Sequence, residues 1–138
     1  MWWEGGLRFT CLSCGRCCRG APGAIYFTDS EGAEIASFLS LSDAEFRRRY
    51  VTLRWEAPSI RERQNGECLM YDASTARCAI YPVRPAQCCL FPFWPSLLES
   101  REEWDAAARY CPGMNSGELH TAVEISSLLR INPFPDLL

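Results

Sequence analysis

The chain has 138 residues, with nine cysteines, one histidine, 14 basic side chains that are all arginine, and a net charge of −3. Its length and its balance of 48% apolar to 22% charged residues predict one globular domain, 1–138, and exclude a disordered chain. A pI near 5.2 argues against a nucleic-acid partner, and the apolar runs are too short to span a bilayer. The start, Met1-Trp2-Trp3-Glu4-Gly5-Gly6, lacks the charged and apolar regions of an export signal, so a cytoplasmic location is expected.

In chain order, the first group of cysteines is Cys11, Cys14, Cys17 and Cys18, reading C-x-x-C-x-x-C-C. Thr28-Asp29-Ser30-Glu31 and Ser42-Asp43-Ala44-Glu45 are capping boxes. They predict helices over 29–39 and 43–49, with Ala33, Ile35, Ala36, Phe38 and Leu39 on the apolar stripe of the first and Phe46 and Tyr50 on that of the second. Val51 to Trp55 reads as a strand broken by Pro58. Ile60 to Gln64 and Glu67 to Tyr71 flank Asn65-Gly66, which predicts a hairpin with a type I′ turn. A second turn over Asp72 to Ala76 brings Arg77 to Tyr81 back alongside. Cys68 and Cys78 then sit on paired or neighbouring strands, within reach of a shared ion. Four prolines between Pro82 and Pro95 forbid a long element there, leaving a short helical turn near Ala86 to Leu90. Thr121-Ala122-Val123-Glu124 starts a terminal helix that runs to about Arg130 and ends before Pro133 and Pro135. The fold class expected is α+β, with helices around an irregular cysteine core and a short antiparallel hairpin.

The cysteines carry the chemistry. In a reducing compartment disulfides are rare, and an odd number cannot pair completely. Two residues between cysteines let both sulfurs converge on one ion, as in zinc and iron–sulfur sites. Cys17 and Cys18 are adjacent, so their side chains diverge in extended backbone and suit two ions, or a bridged pair, better than one. Two four-ligand sites would use eight of the nine cysteines. His120 has no second histidine beside it and reads as a satisfied or exposed side chain. That single histidine also argues against a thiol protease, and the glycines fit no phosphate-binding loop.

Phe9-Thr10-Cys11-x-x-Cys14-Gly15-Arg16-Cys17-Cys18, then Cys68, then Cys78-Ala79-Ile80-Tyr81-x-x-Arg84-Pro85-x-x-Cys88, then Phe91-Pro92-Phe93-Trp94-Pro95 and Cys111-Pro112-Gly113 closely resemble the zinc- or iron-chelating CxxCxxCC proteins, also called YkgJ-type cysteine-cluster proteins. The resemblance covers about residues 9 to 130. It implies eight metal ligands: Cys11, Cys14, Cys17, Cys18, Cys68, Cys78, Cys88 and Cys111. Cys89 departs from the family pattern and is the candidate spare thiol. The implied cofactor is zinc or iron, the latter including an iron–sulfur cluster, with metal ions as partners; a client protein is the partner that the metal-carrier alternative would need. The implied function is metal binding. An enzyme or enzyme subunit using the cluster for methyl transfer or redox chemistry, and a thiol metal carrier, are the alternatives. Arg84 is a candidate donor of hydrogen bonds to thiolates or to a carboxylate, and Phe91, Phe93 and Trp94 are candidates to cover the site.

Overall fold

The computed structural model describes residues 1–12 and 24–136. Cys14, Cys17 and Cys18 lie outside the described residues. In chain order the elements are β1 (Leu7–Phe9), α1 (Asp29–Phe38), α2 (Asp43–Tyr50), β2 (Val51–Arg54), β3 (Ala57–Ile60), β4 (Tyr71–Asp72), β5 (Arg77–Cys78), a 3-10 turn (Tyr81–Val83), α3 (Ala86–Leu90), α4 (Pro95–Leu98), α5 (Arg101–Ala108), β6 (Met114–His120) and α6 (Ala122–Arg130). Among the described residues the strands form antiparallel pairs, β1 with β6, β2 with β3 and β4 with β5. This is an α+β fold. The described residues pack as two units, one of residues 24–89 and one of 1–12 with 90–136.

In the 24–89 unit, the helices arise from their caps. The Thr28 hydroxyl accepts from the Glu31 amide (3.2 Å), and the Glu31 carboxylate accepts from the Thr28 amide (2.8 Å). The Ser42 hydroxyl likewise accepts from Glu45 (3.1 Å). Ile35 and Phe46 are fully buried, and Phe46 lies 5.7 Å from the Phe27 ring. Gly32 is required beside that ring, because a Cβ there would meet Phe27 at 2.9 Å. The cluster continues through Ile60, Cys68, Met70, Tyr71 and Ile80.

Two strand expectations need correction. Pro58 does not end the sheet but sits inside β3, opposite Leu53. The β2–β3 loop has two residues, Trp55 and Glu56, so Arg54 and Ala57 form the hydrogen-bonded pair and Leu53 and Pro58 a pair without ladder bonds. Proline's missing N–H therefore costs nothing there. The second correction concerns Asn65-Gly66. A type I′ turn needs both residues left-handed, yet only Gly66 is (φ 86°). The Asn65 side chain instead accepts from the Glu67 amide (3.1 Å), a local bond that competes with the hairpin conformation. The flanking segments then share one bridge, Glu62 to Cys68, rather than a ladder. Arg77 to Tyr81 likewise gives only the two residues of β5 before the 3-10 turn begins.

In the other unit, β1, α4, α5 and β6 have no counterpart among the elements expected from sequence. Ser100 caps α5 by accepting from Glu103 (3.2 Å), and Trp104 on that helix is fully buried. Trp104 packs with Trp3, Leu7, Phe93, Leu98, Met114 and Ile125. Phe93 stacks on Trp104 with centroids 5.8 Å apart. α6 is capped by Thr121, which accepts from Glu124 (3.2 Å), and runs to Arg130 as expected.

The two-residue turn of β2–β3 holds Trp55 (φ 53°) and Glu56 (φ 63°) in the left-handed region, which costs a side-chain-bearing residue about 1–2 kcal/mol. Trp55 is also 84% exposed, so its ring recovers little of that cost. Replacing Trp55-Glu56 with Asn-Gly is expected to stabilise the protein by about 1–2 kcal/mol, read as a raised urea midpoint with an unchanged slope.

Candidate metal centre

Cys11 and Cys111 belong to the unit of residues 1–12 with 90–136. Leu7 pairs with His120 and Arg8 with Leu119, and the register then jumps so that Phe9 faces Met114. The skipped stretch of β6 wraps the next residue, Thr10. The Thr10 amide donates to the Gly113 carbonyl (3.2 Å), and the Thr10 hydroxyl accepts from the Glu118 amide (2.9 Å). The contact leaves no room for side chains. A Cβ on Gly113 would stand 2.2 Å from the Thr10 carbonyl oxygen, and one on Gly117 (φ 78°) 2.2 Å from the Thr10 Oγ1. Cys11 comes directly after Thr10, and Cys111 stands two residues before Gly113 with its carbonyl accepting from Met114 (3.1 Å). The pairing thus brings the segments of the first and last cysteines side by side. Cys11 is exposed, and Cys111 is half-buried against the aromatic cluster.

That cluster accounts for the aromatic residues picked out in the sequence. Phe9 meets the edges of Phe91 (6.3 Å) and Phe93 (6.1 Å), and Phe91 meets Trp94 (5.1 Å). Phe9, Phe91 and Phe93 pack in the same apolar cluster that Cys111 borders. His120 is satisfied in this unit, as its sequence context predicts. Its Nε2 lies 2.9 Å from the Phe9 carbonyl, its Nδ1 3.5 Å from the Glu124 carboxylate, and its ring packs on Phe93 (5.1 Å).

Cys68, Cys78, Cys88 and Cys89 belong to the 24–89 unit. Cys68 is buried and Cys78 half-buried at the same apolar cluster. Cys78 faces Tyr71 in the β4–β5 pair, and the Tyr71 amide donates to the Cys68 carbonyl (2.9 Å). The turn before Cys78 is held by Asp72, whose carboxylate accepts from the Ser74 hydroxyl (2.6 Å) and amide (2.9 Å). These bonds, the hydroxyl's first, hold the Asp72 carboxyl below its ordinary range. Cys88 is half-buried on α3. Glu31, already part of the cap of α1, also accepts from the Ala86 amide with its second oxygen. Next to it, buried Gln87 accepts from the Tyr26 amide and donates to the Ala24 carbonyl, both at 2.7 Å. Cys89 is exposed, with its thiol 3.7 Å from the Arg84 carbonyl. Arg84 differs from its expected role. Its guanidinium lies 3.9 Å from the Tyr81 ring centroid and donates to the Tyr81 carbonyl (2.9 Å).

Among the described residues no three Cys, His, Asp or Glu side chains are grouped to hold an ion. The donor chemistry is nonetheless one-sided. The imidazole is engaged by Phe9 and Glu124, and the candidate ligands are all thiols. Sulfur donors suit zinc and iron and disfavour magnesium and calcium. Thr10, Gly113, Gly117, Glu31 and Gln87 place the thiols, yet the sequence alone does not mark them for that role. Only the Glu31 cap is visible there, and its second contact spans 55 residues.

The family model described as "Putative zinc- or iron-chelating domain", CxxCxxCC, matches residues 10–112. The chain belongs to this family. No solved structure matches it at a significant level. The matched segment begins and ends at the paired strands, at Thr10 and beside Gly113. Among the described residues no helix is long and apolar enough to cross a membrane.

Gly113→Ala is expected to force β1 from β6 and to destabilise the protein by about 2 kcal/mol or more, whereas Gly5→Ala, with open space at its Cβ, should change little; urea unfolding of both checks this. Asp72 has a lowered folded-state pKa, so its contribution is present above the unfolded carboxylate pKa and is lost as pH falls through the folded value. The thermal midpoint of the parent is therefore expected to exceed that of Asp72→Asn at neutral pH, with the gap closing in acid.

Proposed function

We propose that this member of the CxxCxxCC family is a metal-binding module of a reducing compartment, holding zinc or iron through thiolates of Cys11, Cys14, Cys17, Cys18, Cys68, Cys78, Cys88 and Cys111. The observation that carries the reading is the β1–β6 pairing, which sets the Cys11 segment against the Cys111 segment across about a hundred residues of chain. Such a close approach of two thiol-bearing segments, each lying outside the sheet itself, suits ligands of one centre. The family match supports zinc or iron as the ion. Eight thiolates suffice for two four-sulfur sites, and adjacent Cys17 and Cys18 favour more than one ion. Cys89, exposed and bonded to a local carbonyl, is left as the spare thiol.

Bound zinc would contribute folding energy through a closed sulfur shell, and an iron–sulfur centre would add electron transfer. The chain's own residues supply the rest. The Phe9, Phe91 and Phe93 rings border the Cys111 side and lower its exposure to water. The satisfied His120 fixes the Phe9 carbonyl, two residues from Cys11.

Anaerobic purification with subsequent metal analysis and a visible spectrum tests the proposal. Zinc without colour, or iron with acid-labile sulfide and a brown colour, is expected at stoichiometric amounts. Cys11→Ser and Cys111→Ser are expected to lower metal per protein and Cys89→Ser to leave it unchanged. Full metal retention in both of the first two variants would sink the assignment of that pair.

A further inference from the structure

Cys68 lies in a loop whose main chain is organised by one side chain from outside it. The loop runs from the Glu62–Cys68 bridge to β4. Its backbone bonds form no regular ladder: the Cys68 carbonyl accepts from the Tyr71 amide (2.9 Å) and the Met70 carbonyl from the Ala79 amide (2.7 Å), and its carbonyls take further donors from a side chain. Arg63 engages three of them. Its Nη1 donates to the Cys68 carbonyl (3.0 Å) and to the Tyr71 carbonyl (2.8 Å), and its Nη2 donates to the Leu69 carbonyl (3.1 Å). The backbone of Arg63 is itself fixed across the turn, its amide donating to Glu67 (2.8 Å) and its carbonyl accepting from Gly66 (2.9 Å). Glu67 also stands 3.8 Å from Nη1.

A planar fork of fixed geometry reaches three carbonyls at once, which a lysine ammonium on a flexible stem does not reproduce. Because each peptide unit is planar and trans, drawing the Leu69 carbonyl to Arg63 turns the Met70 N–H to the opposite side of the loop. The guanidinium therefore acts with the Leu69-to-Arg61 and Tyr71-to-Cys68 backbone bonds (both 2.9 Å) to hold the orientations of the peptide units from Cys68 onward. It does so with the protein's own charge, before any ion is present. The surrounding Cys68, Met70 and Tyr71 are each at most 5% exposed, so water has little access to compete with the guanidinium for these carbonyls.

We infer that Arg63 is a positioning residue for Cys68: it pre-shapes the loop so that the thiol is presented in one orientation to the metal. This rests on the reading of Cys68 as a ligand. Groups bonded directly to metal ligands are worth about 10–100-fold in affinity; Arg63 acts one step removed, through the Cys68 carbonyl, so the lower end of that range is expected.

Arg63→Lys keeps the charge and loses the fork. Two readouts on the full chain separate the inference from the reading beneath it. The first is alkylation of each cysteine in the metal-free protein, mapped by mass spectrometry. The second is retention of metal against a competing chelator. Arg63→Lys is expected to speed alkylation of Cys68 about tenfold through easier local opening, to leave Cys111 unchanged, and to lower metal retention about tenfold. Arg63→Ala should behave alike and recover with added methylguanidinium. Unchanged Cys68 alkylation overturns the inference. Equal acceleration at Cys111 also overturns it, since Arg63 would then act on stability in general. Faster Cys68 alkylation with unchanged metal retention instead overturns Cys68 as a ligand, and the positioning role for metal with it.

Discussion

Thr10 sits between two glycines, and the seating of its unit's strand pair depends on that fit. Its carbonyl and hydroxyl oxygens occupy the space where Cβ atoms of Gly113 and Gly117 would stand. Its amide and hydroxyl are bonded to Gly113 and Glu118. Bringing together segments about a hundred residues apart costs about 4 kcal/mol in chain entropy. Buried aromatic side chains at about 1.5–3 kcal/mol each offset that cost, and Phe93 and Trp104, nearly or fully buried, are in the same cluster as Met114 of β6. Under the proposed ligand assignment, an ion that takes Cys11 and Cys111 finds the two segments already side by side, so little of that entropy falls on the binding step.

The thiols of the 24–89 unit are placed by a different device. No long element carries Cys68, Cys78 or Cys88; each is set by side chains that bond to backbone. Arg63 gathers the carbonyls around Cys68. Asp72 closes the turn that returns Cys78 opposite Tyr71. Glu31 and Gln87 hold the short helix of Cys88. In each case a polar side chain replaces the ladder or helix bonds that the short segment is too brief to supply. If these thiols are ligands as proposed, substitutions that leave every cysteine intact weaken metal binding through these supports.

The sequence is most legible where a structure is local. Thr28-x-x-Glu31, Ser42-x-x-Glu45 and Thr121-x-x-Glu124 announce helices because a cap needs only three residues to act. The same signal stands at Ser100-x-x-Glu103, where α5 begins without having been expected. Strands are harder to place. The β2–β3 turn uses Trp55-Glu56, residues with no left-handed preference, whereas Asn65-Gly66, with that preference, forms a turn that hardly extends into a sheet. β1 and β6 are interrupted by a register jump and meaningful only together, so no window of sequence reveals either. The candidate ligands are legible from cysteine spacing and from the family pattern. Their supports are not, because Thr10 with Gly113 or Glu31 with Ala86 acquire a role only after distant pairing.

X-ray absorption at the zinc or iron edge of the protein as purified tests the central claim most directly. Thiolate ligation predicts a first shell of sulfur alone, at about 2.3 Å if the ion is zinc, and loss of sulfur from that shell in Cys11→Ser and Cys111→Ser. A first shell dominated by nitrogen or oxygen, or one unaltered by both substitutions, would contradict it.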